Sequence, residues 1–123
     1  MRIIVDAMGG DNAPLEIVKG AVNAVRAHPE LELVLVGRAA EVRAAAEQCG
    51  GLGPRMTVVN AAEVINMEDD PATAFKTKKD SSITVGLNLL KAGEGDAFVS
   101  AGSTGALLSA GTLLVKRIRG IPR

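Results

Sequence analysis

Aromatic side chains are nearly missing from this sequence: its 123 residues include two Phe and neither Trp nor Tyr. Any core must therefore be aliphatic, and with 47% hydrophobic residues there is material for one domain. The single cysteine, Cys49, excludes an intramolecular disulfide and agrees with a reducing cytoplasm. Beside Gly50 and Gly51 it reads as structural rather than nucleophilic. Neither sign of charge dominates, since 14 Lys and Arg balance 14 Asp and Glu, so nothing points to a nucleic-acid partner. Met1-Arg2-Ile3-Ile4-Val5-Asp6 reaches a carboxylate after three apolar residues and does not read as a signal peptide. Residues 97–115 form an uncharged run of 19, but eight are Gly, Ser or Thr and a turn at 101–105 interrupts them. They do not read as a spanning helix, and peripheral membrane contact stays open.

What is present alternates between strand and helix signals. Arg2 to Asp6 is a β-branched run, continuous rather than alternating, as in a strand buried on both faces. Leu31 to Val36, Met56 to Val59 and Asp96 to Ser100 read as three more strands. Leu15, Val18, Val22 and Val25 predict a helix with Asp11 or Asn12 as its cap and Pro14 in its first turn. It stops at His28-Pro29, with His28 as the C-terminal cap. A second helix runs from Ala39 to Gln48 and ends at Cys49 and Gly50-Gly51. Ala61 to Met67 has no clear period, residues 67–71 form an acidic turn, and Ala72 to Lys79 hold a helical turn or two. Asp80, Ser81 and Ser82 are three candidate caps for a helix from Ile83 to Lys91, broken by Gly93-Glu94-Gly95. The last helix, Thr104 to Arg117, would put Leu107, Gly111, Leu114 and Ile118 on one face. Gly111 suggests a close approach by a neighbouring backbone.

This order spells a parallel α/β sheet with right-handed crossovers. A strand order of 3-2-1-4 sets the first and fourth strands side by side at a topological switch point. The turns at 7–12 and 101–105 then open into one crevice at the carboxyl ends of the strands. In the second turn Gly102 and Gly105 let backbone approach a ligand, and Ser100, Ser103 and Thr104 add hydroxyls. With the N–H groups of the following helix they suit a phosphate or another small oxyanion, although the same residues also make an ordinary strand-to-helix connection. Gly9 and Gly10 shape the facing wall, and Lys79 and Lys76 would offset the anion's charge. Lys76, Lys78 and Lys79 also read as a solvated basic face, or as a greeting for an acidic partner protein.

No cofactor is implied. The first turn lacks the G-x-G-x-x-G spacing, and the second strand ends in Gly37 where a ribose-binding acid would stand. Gly102-Ser103-Thr104-Gly105 runs into Ala106-Leu107, without the Lys-Ser/Thr pair of a nucleotide loop. Asp6 and Asp11 have no His or further carboxylate nearby in sequence, so turn hydrogen bonds explain them better than a metal.

Three co-linear motifs carry a resemblance: Ile4 to Asp11 with Ala13-Pro14, Lys79-Asp80-Ser81-Ser82, and Ser100-Ala101-Gly102 with Thr104-Gly105-Ala106. They resemble the phosphate:acyl-(acyl-carrier-protein) acyltransferases of bacterial phospholipid synthesis, the PlsX family, along the whole chain. The resemblance implies a three-layer fold similar to isopropylmalate dehydrogenases and phosphate acetyltransferases. It also implies acyl transfer from acyl carrier protein to inorganic phosphate, in a homodimer that is cytoplasmic or peripheral to the inner face of the membrane. The acyl phosphate would feed a membrane glycerol-3-phosphate acyltransferase. The substrate-binding residues would be Gly9, Gly10, Asp11, Lys76, Lys79, Ser81, Ser100, Gly102, Ser103, Thr104 and Gly105, with no metal and catalytic residues unassigned. Ser103 stands where the family commonly has Asn. Family chains are more than twice this long, so residues 1–123 are expected to be the N-terminal phosphate-site domain, inactive alone. A phosphate acetyl- or butyryltransferase using acyl-coenzyme A, or a non-catalytic domain retaining the fold, are the alternatives.

Overall fold

The computed structural model describes residues 1–122. Four parallel strands, β1 (Arg2–Asp6), β2 (Glu32–Gly37), β3 (Met56–Asn60) and β4 (Ala97–Val99), pair in the order β3-β2-β1-β4. Ile4 lies opposite both Val34 and Phe98, which fixes the register of the inner strands. The helices are α1 (Leu15–Ala27), α2 (Ala39–Gln48), α3 (Ala74–Thr77), α4 (Ser82–Lys91) and α5 (Thr104–Ala110). Together they make the three-layer α/β architecture expected from the sequence, with the expected strand order.

Side-chain alternation along the strands builds the two faces. Leu33, Leu35 and Met56 pack with Val18, Val22 and Val25 of α1 and Val42, Ala45 and Ala46 of α2. Ile4, Val34, Val36 and Ala61 point the other way, against Val85, Leu89 and Leu90 of α4 and against Phe98. Ile4 and Leu35 are wholly buried, and cutting either to Ala would cost about 2–5 kcal/mol. Gly86 lets α4 lie on β4, because a Cβ there would collide with the Phe98 ring. The second Phe, Phe75, closes a smaller cluster with Ile83, Leu87, Ala106 and Ala110.

Several helix ends differ from the sequence reading. Pro14, not Asp11 or Asn12, is the N-cap of α1, and no side chain caps that end. The helix starts at Leu15, so Asp11 and Asn12 fall within the preceding turn; Asn12 contributes its carbonyl oxygen to Glu16 N. His28 is the C-cap as expected, its N–H donating to the Ala24 carbonyl. The start of α2 is capped from a distance, its Ala39 N–H donating to Asn60 Oδ1 at the end of β3, at 3.0 Å. The final helix is shorter than its apolar spacing suggests. After Ala110 it widens into a π-helical turn, Gly111–Val115, closed by Lys116 N donating to Gly111 O at 2.9 Å. Lys116 then takes φ +72°, which ends the helix, and Ile118 is left exposed. No backbone approaches Gly111, beside which a Cβ would meet nothing within 4 Å. Among the described residues no helix is long and apolar enough to cross a membrane.

Candidate functional site

The carboxyl ends of β1 and β4 are tied by a buried carboxylate. Asp6, the last residue of β1, is 1% exposed. Its Oδ1 accepts the Met8 N–H at 3.1 Å and its Oδ2 accepts the Ser100 hydroxyl at 2.7 Å. Ser100 Oγ in turn accepts the Gly102 N–H at 3.1 Å. Asp6 thus serves both turns, each of its oxygens accepting one hydrogen bond from a different turn.

The turns touch where both are glycine. A Cβ on Gly9 would stand 2.6 Å from Asp6 Oδ2 and 2.8 Å from the Gly102 nitrogen, so only glycine permits this approach. Gly10 turns the chain with φ +106°. In front of these turns lies a hollow of about 160 Å³, smaller than the roughly 300–1,000 Å³ of drug-sized ligand sites. One wall is Gly9, Gly10 and Asp11, and a second is Ala101, Gly102 and Ser103. The third comes from Val64–Met67 with Ser82 and Ile83 at the start of α4.

That third wall has no strand of its own and is pinned by isolated contacts. Glu63 bridges Ser81, with Glu63 N donating to Asp80 O at 3.0 Å and Ser82 N to Glu63 O at 3.2 Å. Lys78 Nζ donates to the Val64 carbonyl and to Asp69 Oδ2, each at 2.8 Å. This lysine, a quarter exposed, is the one engaged in holding the wall.

The expected site residues therefore separate into groups. Gly9, Gly10, Asp11, Gly102 and Ser103 line the hollow, and Ser100 supports it from behind. Ser81 is fully buried and caps α4, its Oγ accepting from Thr84 N at 3.1 Å and donating to Thr84 Oγ1 at 2.9 Å. Ser103 caps α5, accepting from Ala106 N at 3.3 Å. Thr104 and Gly105 lie exposed on the first turn of α5 outside the lining, Gly105 packing close against Pro71. Lys76 and Lys79 are exposed and do not line the hollow; the Lys76 ammonium sits 5.7 Å from the Phe75 ring centre. Among the described residues the lining holds the carboxylates Asp6 and Asp11 and no Lys or Arg. The sequence reading missed Asn66, Met67 and Ser82. Ser82 stands in the motif Lys79-Asp80-Ser81-Ser82, where the resemblance points to the adjacent Ser81.

A small hollow between glycine turns at the carboxyl ends of a parallel sheet with helices on both faces defines an α/β domain with its crevice at the switch point. The model of a family described as "Fatty acid synthesis protein" matches residues 1–123, and the chain belongs to that family. It is 45% identical over 123 residues to the phosphate acyltransferase of Magnetococcus marinus and 49% identical over the same length to that of Levilactobacillus brevis. Those matches cover the whole chain but 35% and 34% of the two relatives, so the chain spans about a third of their length. The fold is also that of a phosphotransacetylase from Streptococcus pyogenes, with a TM-score of 0.70 at 21% identity, over all of this chain and 40% of that one.

Proposed function

We propose that the complete protein transfers a fatty acyl group from the thioester of acyl carrier protein to inorganic phosphate, and that this segment holds the phosphate. A phosphate oxygen attacks the thioester carbonyl carbon, the C–S bond breaks, the thiolate leaves, and an acyl phosphate is formed. Positioning dominates such a step, because a thiolate leaves without a strong general acid and the main requirement is to hold phosphate against the carbonyl. The supporting observation is the contact between the Gly9 and Gly102 turns over one small hollow, together with the membership of the chain in its family. Ser103 offers its hydroxyl hydrogen to the phosphate, and Gly9, Gly10 and Gly102 let the turns close around it, with Thr104 and Gly105 beyond them. Because the lining has no cation among the described residues, the counter-charge comes from outside it: from the exposed Lys76 and Lys79 or from the rest of the length that relatives possess. The same reading carries a homodimer at the inner face of the membrane, handing acyl phosphate to a membrane glycerol-3-phosphate acyltransferase.

The test is steady-state kinetics of the full-length protein with orthophosphate varied. Gly102→Ala, whose methyl group would press on Ser100 Oγ at 3.2 Å and on Gly9 Cα at 3.4 Å, is expected to raise the phosphate KM by about tenfold, or roughly 1.4 kcal/mol. An unchanged KM and kcat would remove the turn from the phosphate site. Replacing the carrier-protein thioester by the coenzyme A thioester separates the proposed donor from that of a phosphate acetyl- or butyryltransferase.

A further inference from the structure

We propose that Ser82 is a ligand-contacting residue of this hollow, its hydroxyl donating a hydrogen bond to an oxygen of the bound oxyanion. The inference rests on the phosphate reading above and adds a contact to it.

Ser82 is 2% exposed and opens α4, yet its hydroxyl has no hydrogen-bond partner among the described residues. Two neighbouring hydroxyls spend their hydrogens elsewhere, Ser81 on Thr84 Oγ1 and Ser100 on Asp6, while Ser103 accepts from the Ala106 N–H and keeps its hydrogen. A buried hydroxyl without a partner is costly enough that native structures rarely keep one. Among the described residues no fully inaccessible side-chain nitrogen or oxygen lacks a partner. Ser82 also lines the hollow, which sets this nearly buried residue beside that space. Its backbone is fixed there by the bond from its N–H to Glu63 O, and capping of α4 is done by Ser81. The hydroxyl is therefore held in place without structural employment.

The charge of the lining makes this donor matter. With Asp6 and Asp11 present and no Lys or Arg among the described residues, the hollow meets an oxyanion through neutral donors such as hydroxyls. Ser82 belongs to the third wall, apart from the glycine turns, where it would face an oxygen that the Ser103 hydroxyl does not. A phosphate held from two sides keeps its attacking oxygen in one orientation, which a single turn does not ensure.

The experiment measures orthophosphate and thioester KM separately in the full-length protein. Ser82→Ala and the size-matched Ser82→Cys are both expected to raise the phosphate KM by about tenfold while leaving the thioester KM and the melting temperature in place. Ser82→Thr, which keeps the hydroxyl, should restore most of the loss. If Ser82→Ala does not fold, Ser82→Cys carries the comparison. A phosphate KM unchanged in both variants, beside a raised one in Gly102→Ala, overturns the role of Ser82 and leaves the site standing. No change in any of the three removes the phosphate reading and this contact with it.

Discussion

The hydroxyl of Ser100 donates to the carboxylate of Asp6 across 2.7 Å, joining the ends of β4 and β1 over 94 positions of sequence. The bond is charge-assisted and its acceptor is buried, so it is of the stronger kind. Ser100→Ala removes one of the donors serving the carboxylate and is expected to destabilise the chain by about 1.5–3 kcal/mol. Urea unfolding measures it. A midpoint equal to that of the unsubstituted chain would show that the two strand ends are held together by packing alone.

Two glycine substitutions should act in opposite directions. Gly9→Ala drives a methyl group against Asp6 and the Gly102 backbone, and backbone has no rotamer by which to yield. A loss of about 1–3 kcal/mol is expected. Gly20 lies in the middle of α1 with nothing within 4 Å of its Cβ position. Gly20→Ala should therefore stabilise by about 0.5–1 kcal/mol, since only helix propensity is at stake. Thermal melts of both variants check the pair, and a shift of the same sign in each would contradict the geometry.

The sheet was legible because its strands are short apolar runs bounded by glycine and proline, and α2 begins and ends where its sequence signals stand. The convergence of the two turns followed from strand order alone. Longer-range partners were not legible: Asn60 caps α2 across 21 positions, and Lys78 crosses to Val64. Local pattern carries no record of such contacts. The last helix was overextended because spacings of three and four assume a uniform pitch, and a π-helical turn changes that pitch. Among Asp80, Ser81 and Ser82 the sequence offers three equivalent caps. Only the fold shows that Ser81 spends its hydroxyl on Thr84 while Ser82 lines the hollow.

Acid should loosen the third wall of the hollow first. The hydrogen bond from Lys78, then that from the Asn66 N–H, hold the Asp69 carboxyl below its ordinary pKa against the opposing effect of burial. Because the folded value is the lower one, the stabilisation is complete above the ordinary carboxylate value and is lost as pH falls through the lowered one. Lys78 also holds Val64, so protonating Asp69 releases one of two anchors on that lysine. Asp69→Asn should reduce the drop in melting temperature between neutral pH and about pH 3. The change will be small, because the pair is partly exposed and screened by salt. An identical drop in variant and unsubstituted protein would assign the acid sensitivity elsewhere.

The isolated 123-residue chain should neither bind orthophosphate well nor make acyl phosphate. Its hollow is small, and among the described residues it is lined by Asp6 and Asp11 without a cation. A phosphate dianion entering there gives up hydration and meets like charge, and neutral donors return only part of that loss. The curated relatives are about three times as long, which leaves ample chain to bring basic groups over the opening. Orthophosphate should therefore raise the melting temperature of the full-length protein and leave that of residues 1–123 unmoved at the same concentration. A comparable rise in both would mean that Lys76 and Lys79 reach the hollow in solution and that the charge complement is already present in this segment. Acyl phosphate formation from the carrier-protein thioester by the short chain would go further, locating the whole reaction within it.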